Sequence, residues 1–184
     1  MMPPPSNPPR RNQRQSSKPL RLQSTTLWHH PSQQHGNKTY GLPDYEGRTP
    51  SYLLWNLLQR YTKPGDLVVD PFCGGGTTLD VASELGRASR GFDLRPLRDD
   101  IQQADARDLP LEAGTVDFLF MDPPWSSHLD YSEDPRCIGK LDAFEAGYME
   151  ALGRVIREAE RVLGDGRYLA ILVSDTFKKK KGFV

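Results

Sequence analysis

Two stretches of the 184-residue chain hold side chains whose types and spacing can do chemistry. The first is Asp122-Pro123-Pro124-Trp125, directly behind the apolar run from Val116 to Met121. A carboxylate at the carboxyl end of a parallel strand points into the crevice where such sheets bind ligands. Two consecutive prolines lock the backbone and remove its donors, so the Pro123 carbonyl has a fixed aim and no competing N–H nearby. Trp125 adds a flat aromatic face. Two acceptors beside a stacking surface make a receptor for a planar group that carries an NH2. The lone pair of such a nitrogen is delocalised into its ring, and hydrogen bonds from its protons to Asp122 and the Pro123 carbonyl would favour a tetrahedral, nucleophilic nitrogen. Direct in-line methyl transfer to an exocyclic base nitrogen needs this arrangement, and positioning and electrostatics would supply most of its acceleration. It needs no covalent intermediate, so neither Cys73 nor Cys137 has to be a nucleophile. In a duplex the base must first be flipped out of the stack.

The second stretch is Asp70-Pro-Phe-Cys-Gly-Gly-Gly-Thr-Thr78, which follows a short apolar run and precedes a helical pattern. Glycines at such a turn accept positive φ and let the backbone approach a ligand closely. Leu79 stands where a dinucleotide site needs its third glycine, and no Gly-Lys-Ser/Thr follows for a P-loop. The expected ligand is therefore a nucleoside without a phosphate chain. Asp93, ending the next strand, is placed to accept from ribose hydroxyls. Asp105, after the strand beyond, can accept from an adenine amino group. S-adenosylmethionine meets these terms best, having a ribose, an adenine and no phosphate.

These groups need elements to hold them. Thr49-Pro50 reads as an N-cap followed by proline at the first helical position, with Leu53, Leu54, Leu57, Leu58 and Tyr61 on one helical face. Asp66–Asp70 reads as a buried strand and Thr77–Leu85 as a helix that stops at Gly86. Further strands are expected at Ala88–Asp93, around Ile101–Ala104 and at Val116–Met121. Too few residues separate the first two of these for a helical crossover, so a loop or single turn is expected there. Asp142 and Glu145 form a capping-box pattern ahead of a long helix that closes at Gly164-Asp165-Gly166, and Tyr168–Val173 reads as a buried parallel strand. The order of elements makes an α/β fold.

The balance of 24 basic and 24 acidic residues hides an asymmetry. The first forty residues carry six basic side chains and no acid, and residues 1–24 are rich in Pro, Gln, Ser and Arg, as a disordered basic arm would be. Residues 25–177 form the expected catalytic domain, and 178–184 a basic tail that opens with Lys178 to Lys181. Arm and tail can neutralise phosphates or simply be solvated. No apolar run approaches the roughly 20 residues of a membrane span, and two cysteines behind no signal-peptide pattern set a reducing cytoplasm as the expected compartment. His29, His30, His35 and His128 lack ligand spacing, so no metal site is expected. His128 and Tyr131 lie where they can line a base pocket. Cys73 reads as a small loop filler rather than a reactive thiol.

In combination, DPFCGGGTT and the later DPPW resemble the N6-adenine/N4-cytosine amino-methyltransferases of DNA. The resemblance covers residues 27 to 184 and implies a Rossmann-like S-adenosylmethionine-dependent methyltransferase fold. That fold has a mostly parallel sheet, of which the last two strands are expected to be missing from this chain. By resemblance, Asp70, Phe72, Gly74, Gly76 and Thr77 line the methionine side of the cofactor. Asp93 takes the ribose, and Asp105 with Ala106 the adenine. Thr49-Pro50 and its helix match the segment that closes over the methionine carboxylate. Asp122, Pro123, Pro124 and Trp125 take the target base, and an aspartate at the first of these positions leans toward adenine. DPPW also resembles RNA adenine N6-methyltransferases, so DNA or RNA is the implied partner. A restriction-modification role fits the family. The absence of a target-recognition domain implies a protein partner, a truncated product, or a catalytically silent subunit.

Overall fold

Alternation along the strands sets the layers. In β1 (Leu67–Asp70) and β4 (Val116–Met121) successive side chains point to opposite faces, and both faces are apolar. On one face Val68, Phe118 and Phe120 meet Leu54 and Leu58 of α1 (Ser51–Tyr61) and Val81 and Ala82 of α2 (Thr77–Glu84). On the other, Val69, Leu119 and Met121 meet Val155, Ala159 and Val162 of α3 (Ala146–Val162). Helices on both faces leave these strands no solvent side, so they read as continuous apolar runs. Truncating a fully buried Leu54 or Leu58 to alanine costs about 2–5 kcal/mol at such sites. The computed structural model describes residues 21–29, 32–125, 131–174, 177–178 and 182–183. Most of the expected arm, most of the basic tail, and His30 and His128 lie outside them.

The sheet has five strands in the order β3-β2-β1-β4-β5, with β2 at Ala88–Asp93, β3 at Ile101–Gln103 and β5 at Leu163–Ile171. Every neighbouring pair is parallel, with Asp70 beside Gly91 and Val69 beside Leu119. This is a Rossmann-like α/β sheet. Strand order reverses between β1 and β4, and ligands bind outside the carboxyl ends at such a switch point. β1 ends on Asp70 and β4 runs directly into Asp122. β6 (Phe177–Lys178) and β7 (Gly182–Phe183) form a separate antiparallel pair.

The expected loop between β2 and β3 is present, and three local expectations change. Pro50, not Thr49, is the N-cap of α1, and no side chain caps it. The Thr49 hydroxyl is drawn elsewhere, to a half-buried carboxylate. At α3 the capping box does not form: Asp142 accepts from the Phe144 N–H at 3.0 Å, an Asx turn, and the helix begins only at Ala146. The fifth strand starts at Leu163 and absorbs Gly164-Asp165-Gly166 through a register shift opposite Val116 and Phe118, with Gly166 at φ +71°. It is one of the sheet's two edge strands, and Tyr168 is half exposed rather than buried.

Candidate functional site

The crevice begins with Asp70, buried at the end of β1. Its carboxylate accepts from the Phe72 N–H at 3.0 Å and the Thr78 hydroxyl at 2.5 Å. Burial pushes its pKa up to about 7; those two bonds oppose the rise, and the charges of Asp122 and Asp93 add to it. The chain then turns through Gly74 and Gly76, both at positive φ (+47° and +85°), and Gly76 leads into α2. A Cβ on Gly76 would lie 2.4 Å from the Arg98 guanidinium. Arg98 pairs with Asp80 at 2.9 Å and reaches the Gly75 and Gly76 carbonyls at 3.4 Å, so it braces the loop from behind. Thr77 is buried at the start of α2. Cys73 packs with Leu79 and Ile101, and burial pushes its thiol well above the ordinary range. It fills space and is no thiolate.

Asp93, at the end of β2, accepts from the Gly74 N–H and the Arg95 N–H, each at 2.9 Å. The residue expected at a ribose thus also holds the glycine loop in place, and burial raises its pKa. Asp105 chelates Arg107, with the carboxylate 2.6 Å from Nη2. Burial opposes its charge, but the Arg107 bonds hold the carboxyl below its usual range. Asp93, Asp105, Ala106 and Phe72 all line one cavity of about 510 Å³, together with Leu94, Leu97 and Ile138. That volume lies within the range of about 300–1,000 Å³ typical of small-molecule sites.

Asp122 borders the same cavity from the β4 side and also a smaller one of about 40 Å³. The small cavity reaches Thr49, Asp70, Gly74 and Thr77. The Thr49 hydroxyl donates to Asp122 Oδ2 at 2.8 Å. Burial pushes the Asp122 carboxyl up to about 6, eased in part by Thr49 and by the Trp125 indole N–H. Pro124 lines the large cavity, and its carbonyl accepts from the Tyr148 hydroxyl at 2.8 Å. Pro123 is buried and lines neither cavity. Trp125 is partly exposed beyond them, with its indole N–H 3.3 Å from the Leu172 carbonyl. The structure therefore gathers Thr49, Asp70, Phe72, Gly74, Thr77, Asp93, Asp105, Ala106, Asp122 and Pro124 around the two adjoining cavities. It leaves Gly76, Pro123 and Trp125 outside the cavity walls.

Sequence reasoning missed the strap at residues 41–47. Leu42 N–H donates to the Gly75 carbonyl at 2.8 Å and Gly41 N–H to Asp80 at 2.7 Å, tying the strap across the glycine loop. The Tyr45 ring lies so close to Gly74 that a Cβ there would meet it at 2.6 Å. Gly41, Pro43 and Gly47 mark a loop in the sequence, but no local pattern tells where that loop lands. Tyr148 of α3 is a further residue of the site, its hydroxyl supporting Pro124. Tyr131, expected from its position alone, borders both cavities.

The fold and crevice define an α/β protein with a cavity at the switch point of its sheet and a carboxylate bordering that cavity. The chain belongs to the DNA methylase family of N6/N4 methyltransferases, whose family model matches residues 2–101, just over half of it. It is 39% identical over 57 residues to the type II methyltransferase M.MjaII of Methanocaldococcus jannaschii, a match covering 31% of this chain and 11% of that protein. It is 50% identical over 44 residues to the type II methyltransferase M2.DpnII of Streptococcus pneumoniae, covering 24% and 16%. Against the type II methyltransferase M.HinfI of Haemophilus influenzae it is 30% identical over 86 residues, covering 46% and 24%. The chain thus spans a quarter or less of the length of these relatives. No helix among the described residues is long and apolar enough to cross a membrane.

Proposed function

We propose that the chain binds S-adenosylmethionine in the large cavity and directs its methyl group to an exocyclic amino nitrogen of a nucleic-acid base, adenine N6 in DNA before cytosine N4. One observation carries this reading: Asp122, a half-buried carboxylate with a pKa of about 6, borders both the large cavity and the glycine-loop cavity. The donor set suits the ligand. Asp93 and Asp105 offer acceptors to ribose hydroxyls and an amino group, Ala106 and Leu97 offer apolar walls, and the glycine loop with Thr77 offers N–H and hydroxyl donors to a carboxylate. Bound there, the cofactor would supply an electrophilic methyl group, its sulfur keeping the electron pair of the bond given up.

The chain's own residues then have these parts. Asp122 accepts an amino hydrogen of the flipped base and turns its lone pair toward the donor. A carboxyl with a pKa near 6 is ionised at neutral pH and can carry away the proton released as the new C–N bond forms. Tyr148, through the Pro124 carbonyl, fixes the backbone behind Asp122. Trp125, at the rim beyond the cavity, stacks on the base. The basic arm and tail contact phosphates, a separate chain or domain supplies sequence recognition, and the protein works in the cytoplasm within a restriction-modification system. The similarity to type II methyltransferases supports that last role.

The test is incubation with isotope-labelled methyl donor and duplex DNA, single-stranded DNA or RNA, followed by mass spectrometry of the nucleosides. Label in N6-methyladenine from DNA is expected. Label in N4-methylcytosine moves the base, and label only in RNA moves the polymer. Donor binding without transfer to any of the three makes the chain a subunit that needs a partner.

A further inference from the structure

Four residues border both cavities: Tyr45, Phe72, Asp122 and Tyr131. The wide and the narrow cavity therefore share three aromatic residues and one carboxylate. Tyr45 comes from the strap, Phe72 from the turn after β1, Asp122 from the end of β4, and Tyr131 from the segment before the short 3-10 turn at Ile138–Lys140. Nothing in one local motif brings them together. The Tyr45 ring lies along Gly74 and Gly75, and glycine is needed at Gly74 for it to do so. Its hydroxyl feels burial first and then the charges of Asp93, Asp70 and Asp122, all of which raise its pKa. Tyr131 is held in the same way by burial and Asp122. Both phenols therefore stay neutral and present an uncharged π system.

Aromatic rings grouped at one junction can recognise a cation that has no hydrogen to donate. Such a cation cannot be selected by hydrogen bonds and must be selected by charge. Resting on the cofactor assignment above, we infer that Tyr45, Phe72 and Tyr131 form an aromatic box for the sulfonium. The box lets the chain hold the charged methyl donor in preference to the neutral thioether left after transfer. Placed at the junction, it also sets the donor's reactive centre beside Asp122, and its loss of grip on a neutral sulfur favours product release.

The test is calorimetric titration of the 184-residue chain and its variants with S-adenosylmethionine and, separately, S-adenosylhomocysteine. Tyr45→Leu is expected to lower the ratio of donor to thioether affinity by roughly 3- to 30-fold, the range of one cation–π contact. Tyr45→Phe, which keeps the ring face, is expected to leave the ratio unchanged. Tyr131→Leu repeats the test from an element outside the strap, so a strap that fails to fold does not decide the matter. Equal weakening of both ligands by the two leucine variants, or a loss in Tyr45→Phe as large as in Tyr45→Leu, overturns the box while leaving the cofactor assignment standing. Wild-type chain that binds neither ligand overturns both.

Discussion

The two halves of the crevice are built differently. On the β1 side, Asp70, the glycine turn and the start of α2 form one continuous stretch, and Asp70 takes its bonds from Phe72 and Thr78 within that stretch. On the β4 side, Asp122 takes its bond from Thr49, 73 residues away, and Pro124 is held by Tyr148, 24 residues on. The first half satisfies its carboxylate within one stretch, and Asp93, Arg98 and the strap only brace its glycine loop from outside. The second depends on three separate elements meeting. A locally closed half suits the holding of one ligand shape, and an assembled half suits a group that must meet an incoming base.

If the halves differ in this way, Asp122→Ala should break only the second. Removing the proton acceptor should slow methyl transfer by roughly 10²- to 10⁴-fold while leaving donor affinity nearly unchanged. Rate and calorimetric binding measured on one preparation check this, and parallel loss of both would merge the halves into one.

The next largest effect belongs to Asp70 and is one of stability. Its folded pKa is raised to about 7, so between the ordinary carboxylate range and pH 7 the folded state binds more protons than the unfolded one. Stability should therefore fall as pH rises through that window, with a slope of up to about 1.4 kcal/mol per pH unit. Asp70→Asn should flatten the slope in chemical denaturation at pH 5, 6 and 7. Asp122 shares the direction with a smaller shift. A variant curve parallel to wild type would place the titration elsewhere.

Gly76→Ala should cost about 1–2 kcal/mol, because φ +85° is left-handed and the new Cβ meets the Arg98 guanidinium. Arg98 is the flexible end of that contact, so the added Cβ displaces it from Asp80 and from the loop carbonyls. Thermal unfolding of Gly76→Ala beside Arg98→Ala separates backbone strain from loss of the brace. Equal shifts in both would assign the whole effect to Arg98.

The same contrast explains what the sequence could tell. The glycine turn, β1, β2, β4 and the helix stripes were legible because each is a contiguous pattern with a period of its own. Asp93 and Asp105 were legible as strand-end acids. The strap was not, since the chemistry of Gly-Leu-Pro-Asp-Tyr says loop and says nothing about Gly74. Thr49 and Asp142 were read as helix caps because their type and spacing fit, but side chains of that length take whichever donor or acceptor lies nearest. Tertiary contact gave Thr49 a carboxylate, and the turn gave Asp142 the Phe144 N–H. The edge position of β5 was equally hidden, because its apolar run at residues 168–173 reads as a strand covered on both sides.

Thr49 sharpens the comparison most finely, since the two halves of the crevice compete for it. Resemblance places it over the methionine carboxylate of the cofactor, whereas its hydroxyl lies 2.8 Å from Asp122 Oδ2 and favours the ionised form. Thr49→Val removes that bond, a contribution of about 0.5–1.5 kcal/mol, and keeps the shape. The Asp122 carboxyl should then move further above 6, and the acid limb of the rate–pH profile should move alkaline by up to about one unit, while donor affinity holds. Thr49→Ser should restore the limb, because the hydroxyl can reach the same oxygen without the methyl. A fixed limb with weakened donor binding would return Thr49 to the cofactor half, leaving Asp122 to be held by burial and Trp125 alone.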